Sequence, residues 1–193
     1  MGLNDADLGE LNEVLLQSGL PTFDGRMLAI GGGGFAVRGR TLMLGGEGYG
    51  LITSDNVAGG RDYRLGGGYG LFQIGYLGEV TSGFDLFPLA GIGAGGMTLD
   101  VGPEGRPGEF DEVLADPDRE SRLTRGGILV SAGAGARYRF GGTRSGGPTL
   151  GVRAGYLFQP WSTNWQLGGN TVANGPDSSL EGFYLRVTIG GGR

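Results

Sequence analysis

The sequence predicts an all-β protein: a glycine-rich antiparallel up-and-down β-barrel of seven or eight long strands, preceded by a short N-terminal amphipathic helix. Three observations predict it. From Arg64 to Val80 the chain alternates with period two, its even positions reading Gly66, Gly68, Gly70, Phe72, Ile74, Tyr76, Gly78 and Val80. Such a run far exceeds an ordinary strand of about 5–6 residues, so its two faces meet different surroundings. Six further stretches repeat the design, and the links between them alternate short and long, which puts all the long loops at one end. The 46 glycines in 193 residues follow no Gly-X-Y period and sit among β-branched and aromatic residues, which argues for packed strands rather than disorder.

Taken in order, residues 1–21 read as the helical segment and 22–193 as the barrel domain. Asn4 or Asp5 can cap a helix running to Gly19, with Leu8, Leu11 and Leu15 at helical spacing and Gly19 then Pro21 as the stop. A helix of about three turns is marginal alone, so its leucine stripe must dock on the barrel, a membrane surface or a neighbouring subunit. Leu8, Leu11 and Leu15 are therefore the candidate partner-contact residues.

Strands are expected at about Arg26–Arg38, Thr41–Thr53, Arg64–Val80, Phe84–Asp100, Arg122–Phe140, Thr149–Gln159 and from near Phe183 to Ile189. The first pair is joined tightly at Gly39-Arg40. Gly31 to Gly34 are expected to hold a bulge, because Leu28 and Ile30 lie on the opposite parity from Phe35 and Val37.

One face of these strands carries Leu42, Leu44, Ile52, Phe72, Ile74, Tyr76, Leu86, Ala90, Ile92, Ile128, Val130, Ala132, Leu150, Val152, Ala154, Phe183, Leu185, Val187 and Ile189. The other carries Glu47, Gln73, Glu79, Arg137, Arg153 and Arg186 among many glycines, and these six are the candidate lumenal polar network. A water-facing wall carries more charge than this glycine-dominated face offers, so the apolar face is expected outward and the polar one inward, with Glu47 paired to Arg153 or Arg186. Phe84, Tyr138 and Phe140 cluster at the short-turn end and Phe158, Trp161 and Trp165 toward the long-loop end, as two aromatic girdles would.

With its short turns at one end, long loops at the other, apolar exterior and aromatic girdles, the stretch from Arg26 to Ile189 resembles the small bacterial outer-membrane β-barrels of the OmpX/OmpA type. The resemblance implies a location in the outer membrane or at the cell surface. The chain departs from that pattern in showing seven long strands instead of an even number, and in ending on Gly-Gly-Gly-Arg193 instead of an aromatic residue. An eighth strand is expected either within Trp161 to Ala173 or from another molecule, since an open edge invites strand addition.

The composition excludes much chemistry. With no His and no Cys, the chain lacks imidazole bases, thiolate nucleophiles and disulfides, and the catalytic barrels of the resembling class use a His. All 15 basic residues are Arg, whose planar fork suits partly buried ion pairs. The net charge of −5 argues against nucleic acid as partner. Met1-Gly-Leu-Asn-Asp is not the basic start of a secretory signal, and no apolar run reaches the length of a membrane helix. Gly91-Ile-Gly-Ala-Gly-Gly96 matches the dinucleotide fingerprint, but no helix follows it, as that motif requires. The acidic stretch Glu109, Asp111, Glu112, Asp116, Asp118, Glu120 lacks the order of a calcium loop and reads as a solvated charged loop.

The expectation is thus a non-enzymatic structural protein of the cell envelope, with no cofactor, no catalytic residue and no metal, whose partners are a lipid bilayer or copies of itself as a homo-oligomer or homopolymer. Two alternatives remain open: a self-assembling β-barrel subunit of an extracellular filament or tube, and a lipocalin-like binder of a small ligand.

Overall fold

A computed structural model describes residues 1–104, 120–141 and 147–191. The strands are β1 (Gly2–Asp5), β2 (Arg26–Arg38), β3 (Leu42–Ile52), β4 (Asn56–Ala58), β5 (Arg61–Tyr76), β6 (Gly78–Thr81), β7 (Phe84–Pro103), β8 (Ser121–Arg139), β9 (Pro148–Ser162), β10 (Gln166–Leu167), β11 (Asn170–Thr171) and β12 (Gly182–Gly191), with one helix, α1 (Gly9–Gln17), among the described residues. They form a single antiparallel sheet whose pairings return to their start: β1 to β2, β3, β5, β7, β8, β9, β12 and back to β1. The ring therefore runs through eight of the twelve strands, and β4, β6, β10 and β11 are short additions at its rims.

The eighth position corrects the sequence reading. It is filled neither by Trp161 to Ala173, which finishes β9 and forms the small β10–β11 hairpin, nor by another molecule, but by Gly2–Asp5. The helix consequently begins later than expected. Asn4 does not cap it; its side chain points into the ring and is fully buried. Leu8 occupies the cap position without a side-chain bond. The stop at Gly19 holds: φ is +69°, and Gly19 N and Leu20 N donate to Leu16 O and Leu15 O at 3.0 and 2.8 Å, the paired bonds of a Schellman motif. Asn12 then binds the returning chain at both Phe23 N and Phe23 O (2.9 and 3.0 Å).

Leu8, Leu11 and Leu15 are buried in this chain's own core with Phe23, Trp165 and Leu180. They close the long-loop end of the ring, so the stripe expected to meet a partner is already covered. Trp165 is likewise not a girdle residue: it is buried and its Nε1 donates to Pro176 O at 2.9 Å.

The bulge expected at Gly31 to Gly34 is absent. β2 pairs with β3 in unbroken register from Leu28↔Ile52 to Arg38↔Leu42. Phe35 has the inward parity because its ring lies under the Arg153 guanidinium, 4.6 Å from the centroid. The tight β2–β3 turn is as read, with Gly39 and Arg40 both at positive φ (59° and 78°). The acidic residues Glu109 to Asp118 and part of the Gly/Ser link between β8 and β9 lie outside the described residues.

The outer face matches the expected apolar set: Phe72, Ile74, Tyr76, Leu86, Ile92, Ile128, Val130, Leu150, Val152, Phe183, Leu185, Val187 and Ile189 are all exposed. The interior does not match. It is filled by large apolar residues of the other parity, Met27, Met43, Tyr49, Leu51, Leu65, Tyr69, Leu71, Phe87, Leu89, Met97, Leu99, Leu129 and Leu157, with a few polar groups between two apolar clusters. Inward glycines make room for them. A Cβ at Gly155 would stand 2.5 Å from both the Tyr184 hydroxyl and Ala132 O, whereas one at Gly32 would meet nothing within 4 Å. Gly155→Ala is accordingly expected to destabilise by about 1–3 kcal/mol through overpacking. Gly32→Ala should be neutral or stabilising by up to about 1 kcal/mol. Urea unfolding of the two variants measures the difference, and equal midpoints would contradict it.

Candidate functional site: a polar core inside an apolar wall

Glu47 on β3, Gln73 on β5 and Arg153 on β9 meet inside the ring. Arg153 Nη1 donates to Glu47 Oε2 at 2.8 Å, and Gln73 Nε2 donates to Glu47 Oε1 at 3.0 Å. In the order of pairing, β3 and β9 are four strands apart in a ring of eight, so this ion pair crosses the diameter. It is possible because inward parity on both strands places short-reach positions opposite each other across a narrow space. Phe35 and Phe87 flank the guanidinium at 4.6 and 5.8 Å to their centroids, shielding it from water.

Arg186 on β12 forms a second crossing. Only 1% of it is exposed, and it donates to Leu3 O at 2.6 Å, to Asn4 Oδ1 at 2.8 Å and to the hydroxyl of Tyr69 on β5, again four strands away. Its guanidinium sits over the rings of Tyr49 (4.5 Å), Tyr184 (5.0 Å) and Tyr69 (5.9 Å). With no carboxylate at ion-pair distance among the described residues, Arg186 is held by carbonyl, amide and phenol oxygens plus three aromatic faces. That arrangement ties the short β1 into the wall from inside.

Arg137 belongs to neither crossing. It lies next to Asp85, its direct cross-strand partner on β7, with Nη2–Oδ2 at 2.6 Å and Nε–Oδ2 at 3.1 Å; Arg139 approaches the same oxygen at 3.7 Å. Glu79 is outside the network altogether and exposed on β6. Its parity is still inward, since Glu79 pairs with the buried Asp85 in the same register as Gly75↔Leu89, but β6 lies at the short-turn rim of the ring, where such a position reaches solvent. The polar groups that the sequence reading missed are Asp85, Asn4, Tyr49, Tyr69 and Tyr184. Asp85 alone carried a signal, as an acid of inward parity two residues before Phe87.

On the outer face a cleft of about 810 Å³ lies against β5, β7 and β8 where the apolar positions give way to Arg64, Thr98, Asp100, Arg122 and Thr124. Its cations are already paired, Arg64 with Asp55 and Asp62 (3.0 and 3.1 Å) and Arg122 with Asp100 (2.7 Å). No cluster of acidic residues among the described ones is arranged to hold a metal ion. No family model, no curated protein and no solved structure matches this chain.

Proposed function

We propose that this chain is a non-enzymatic structural β-barrel of the cell envelope, seated in an outer membrane with its apolar face in lipid. The observation that carries the reading is the exposed apolar belt. On β8 it runs from Ile128 to Tyr138, matching the 9–11 residues with which a tilted strand crosses a bilayer. Above it on β5, β7 and β8 the outward residues become Arg64, Asp100, Arg122 and Thr124, as they must where a wall leaves hydrocarbon for water. Exposed Trp161 and Phe158 mark one edge and Tyr76, Tyr138 and Phe140 the other. Apolar surface this continuous far exceeds what a water-facing monomer leaves bare. No described helix is long and apolar enough to span a membrane, so any crossing belongs to the strands.

The same reading makes the barrel a filled scaffold. Side chains from opposite walls meet at Glu47–Arg153 and Arg186–Tyr69, which supports a small barrel filled by its own side chains. A lipocalin-like role needs an empty apolar interior, whereas the positions that would line one are occupied by one another.

The two tryptophans supply the test. In vesicles containing brominated lipid, Trp161 fluorescence is expected to be quenched and that of buried Trp165 spared, so that Trp161→Phe abolishes most of the quenching. Planar bilayers holding the protein should show no steady conductance. A protein that stays monodisperse in buffer without detergent, with no quenching by vesicles, would reject the bilayer reading; detergent-free fibres would favour the filament subunit instead.

A further inference from the structure

One inward-facing arginine makes no side-chain hydrogen bond. Arg139, the last residue of β8, stands at the short-turn mouth of the ring with 21% of its side chain exposed. Its one ion-pair contact among the described residues is Asp85 Oδ2 at 3.7 Å, an oxygen that already takes two bonds from Arg137, and its Nε is buried without a partner. Arg64, Arg125, Arg153 and Arg186 also bury an unpartnered Nε, but each of those guanidiniums makes at least one bond of 3.1 Å or less. A guanidinium has five donors and no acceptor, so a half-covered one without an oxygen marks the place of a missing acceptor.

The register shows what surrounds it. Arg139 lies opposite Thr149 on β9, which lies opposite Gly190 on β12; one inward row deeper, Arg137 lies opposite Gly151, which lies opposite Thr188. Both threonine hydroxyls are on the inner face, because a Cβ at Gly190 would stand 3.3 Å from Thr149 Oγ1 and one at Gly151 2.7 Å from Thr188 Oγ1. Direct cross-strand neighbours have Cβ atoms about 4.5–5.5 Å apart, so the two glycines leave a recess ringed by donors: the Arg139 fork, Arg137 Nη1 and two hydroxyls. Asp85 is committed to Arg137, and Glu79, beyond it on β6, makes no ion pair among the described residues. The link from Phe140 to Gly147 contains no acid. This whole end is cationic: Arg38, Arg40, Arg137 and Arg139 outnumber Glu79 and Asp85, although the chain carries a net charge of −5.

We infer that the recess between Arg139, Arg137, Thr149 and Thr188 binds a phosphate-type oxyanion, free or as a monoester headgroup. Donors from three strands suit the several oxygens of a tetrahedral anion, whereas a planar carboxylate engages only the guanidinium fork. Asp85 holds Arg137 in place and leaves Arg139 as the positive charge that the anion neutralises. The inference goes beyond the bilayer reading, since these residues face the mouth of the ring whatever surrounds the wall.

Inorganic phosphate is the probe, titrated at constant ionic strength into the full isotope-labelled chain in a non-ionic detergent. The Arg139 Nε–H and Thr149 N–H resonances are expected to shift together and to saturate. Arg139→Gln should weaken phosphate about tenfold or more, the loss of one hydrogen bond to a charged group, and Arg40→Gln, at the same end but in the β2–β3 turn, by less than about twofold. Because Arg139 holds no bond in the free protein, its variant should keep the parent's melting midpoint in phosphate-free buffer and lose the rise that phosphate gives the parent. Short-chain phosphatidic acid separates the sources: saturation at lower concentration than with phosphate assigns a lipid headgroup, and at equal or higher concentration a free anion. A shift that grows with phosphate without saturating, or equal weakening by the two variants, would mean diffuse attraction to a cationic rim and would overturn the inference. So would acetate binding as tightly as phosphate, or a lower midpoint of Arg139→Gln in phosphate-free buffer, which would give Arg139 a partner within the chain.

Discussion

Glu47→Ala is expected to cost about 3–5 kcal/mol of unfolding free energy, as removal of one partner from a buried ion pair does. The Glu47 side chain is 5% exposed and that of Arg153 14%, so neither gains much from water when the other is lost. The variant leaves the Arg153 guanidinium between Phe35 and Phe87 with no carboxylate, and Gln73 Nε2 with no acceptor. Gln73 Oε1 is already buried without a partner among the described residues, which removes any reserve in that amide. Arg153→Ala should be equally costly, by stranding the carboxylate. The double replacement Glu47→Leu with Arg153→Met removes both charges and fills the space; it is expected to be neutral or stabilising by about 1–4 kcal/mol. Urea unfolding followed by near-UV circular dichroism measures all three. Single variants within 0.5 kcal/mol of the parent would mean that the pair is solvated, and the interior not filled.

What was legible in the sequence follows from how many residues repeat a signal. The outer face was legible because one parity stays apolar through strand after strand, and period two needs no tertiary knowledge. The inner face was misread because its parity mixes glycine with Met43, Tyr49, Leu51, Tyr69, Leu71 and Leu129, so the few charges drew attention away from the apolar residues between them. Glu47 and Arg153 stood out as isolated charges of that parity, and their pairing across the ring follows from its narrowness. Asp85 was equally isolated but was passed over. Glu79 was misplaced because parity fixes the face but not the level: it lies opposite the inward Asp85, yet on β6 at the rim it is exposed. The eighth strand was illegible for a different reason. Gly-Leu-Asn-Asp is too short to show a period, and Asn and Asp are depleted in strands and favoured at helix caps. Its pairing with β12 on one side and β2 on the other, reinforced by Arg186 reaching to Leu3 O and Asn4 Oδ1, makes this segment a strand.

Deleting Met1–Pro21 is therefore expected to unfold the protein, where a helix that was merely appended would be dispensable. The deletion removes β1 from between β12 and β2 and turns the eight-strand ring into an open sheet of seven. It also strips Leu8, Leu11 and Leu15 from the core, each contributing about 1.5–3 kcal/mol of burial. Arg186 then loses its Leu3 and Asn4 acceptors, two hydrogen bonds to a charged group worth about 1.5–3 kcal/mol each. The sum is comparable to the 5–15 kcal/mol by which most domains are stable. Two smaller changes separate the contributions. Leu11→Ala with Leu15→Ala leaves the wall intact and should lower stability by about 4–10 kcal/mol, at 2–5 for each core leucine. Asn4→Leu leaves the helix intact and removes an acceptor from Arg186. A thermal melt of the deletion variant that keeps the parent's strand signal and midpoint would show that β1 and α1 are not part of the cooperative unit, and would restore the reading of residues 1–21 as a separable arm.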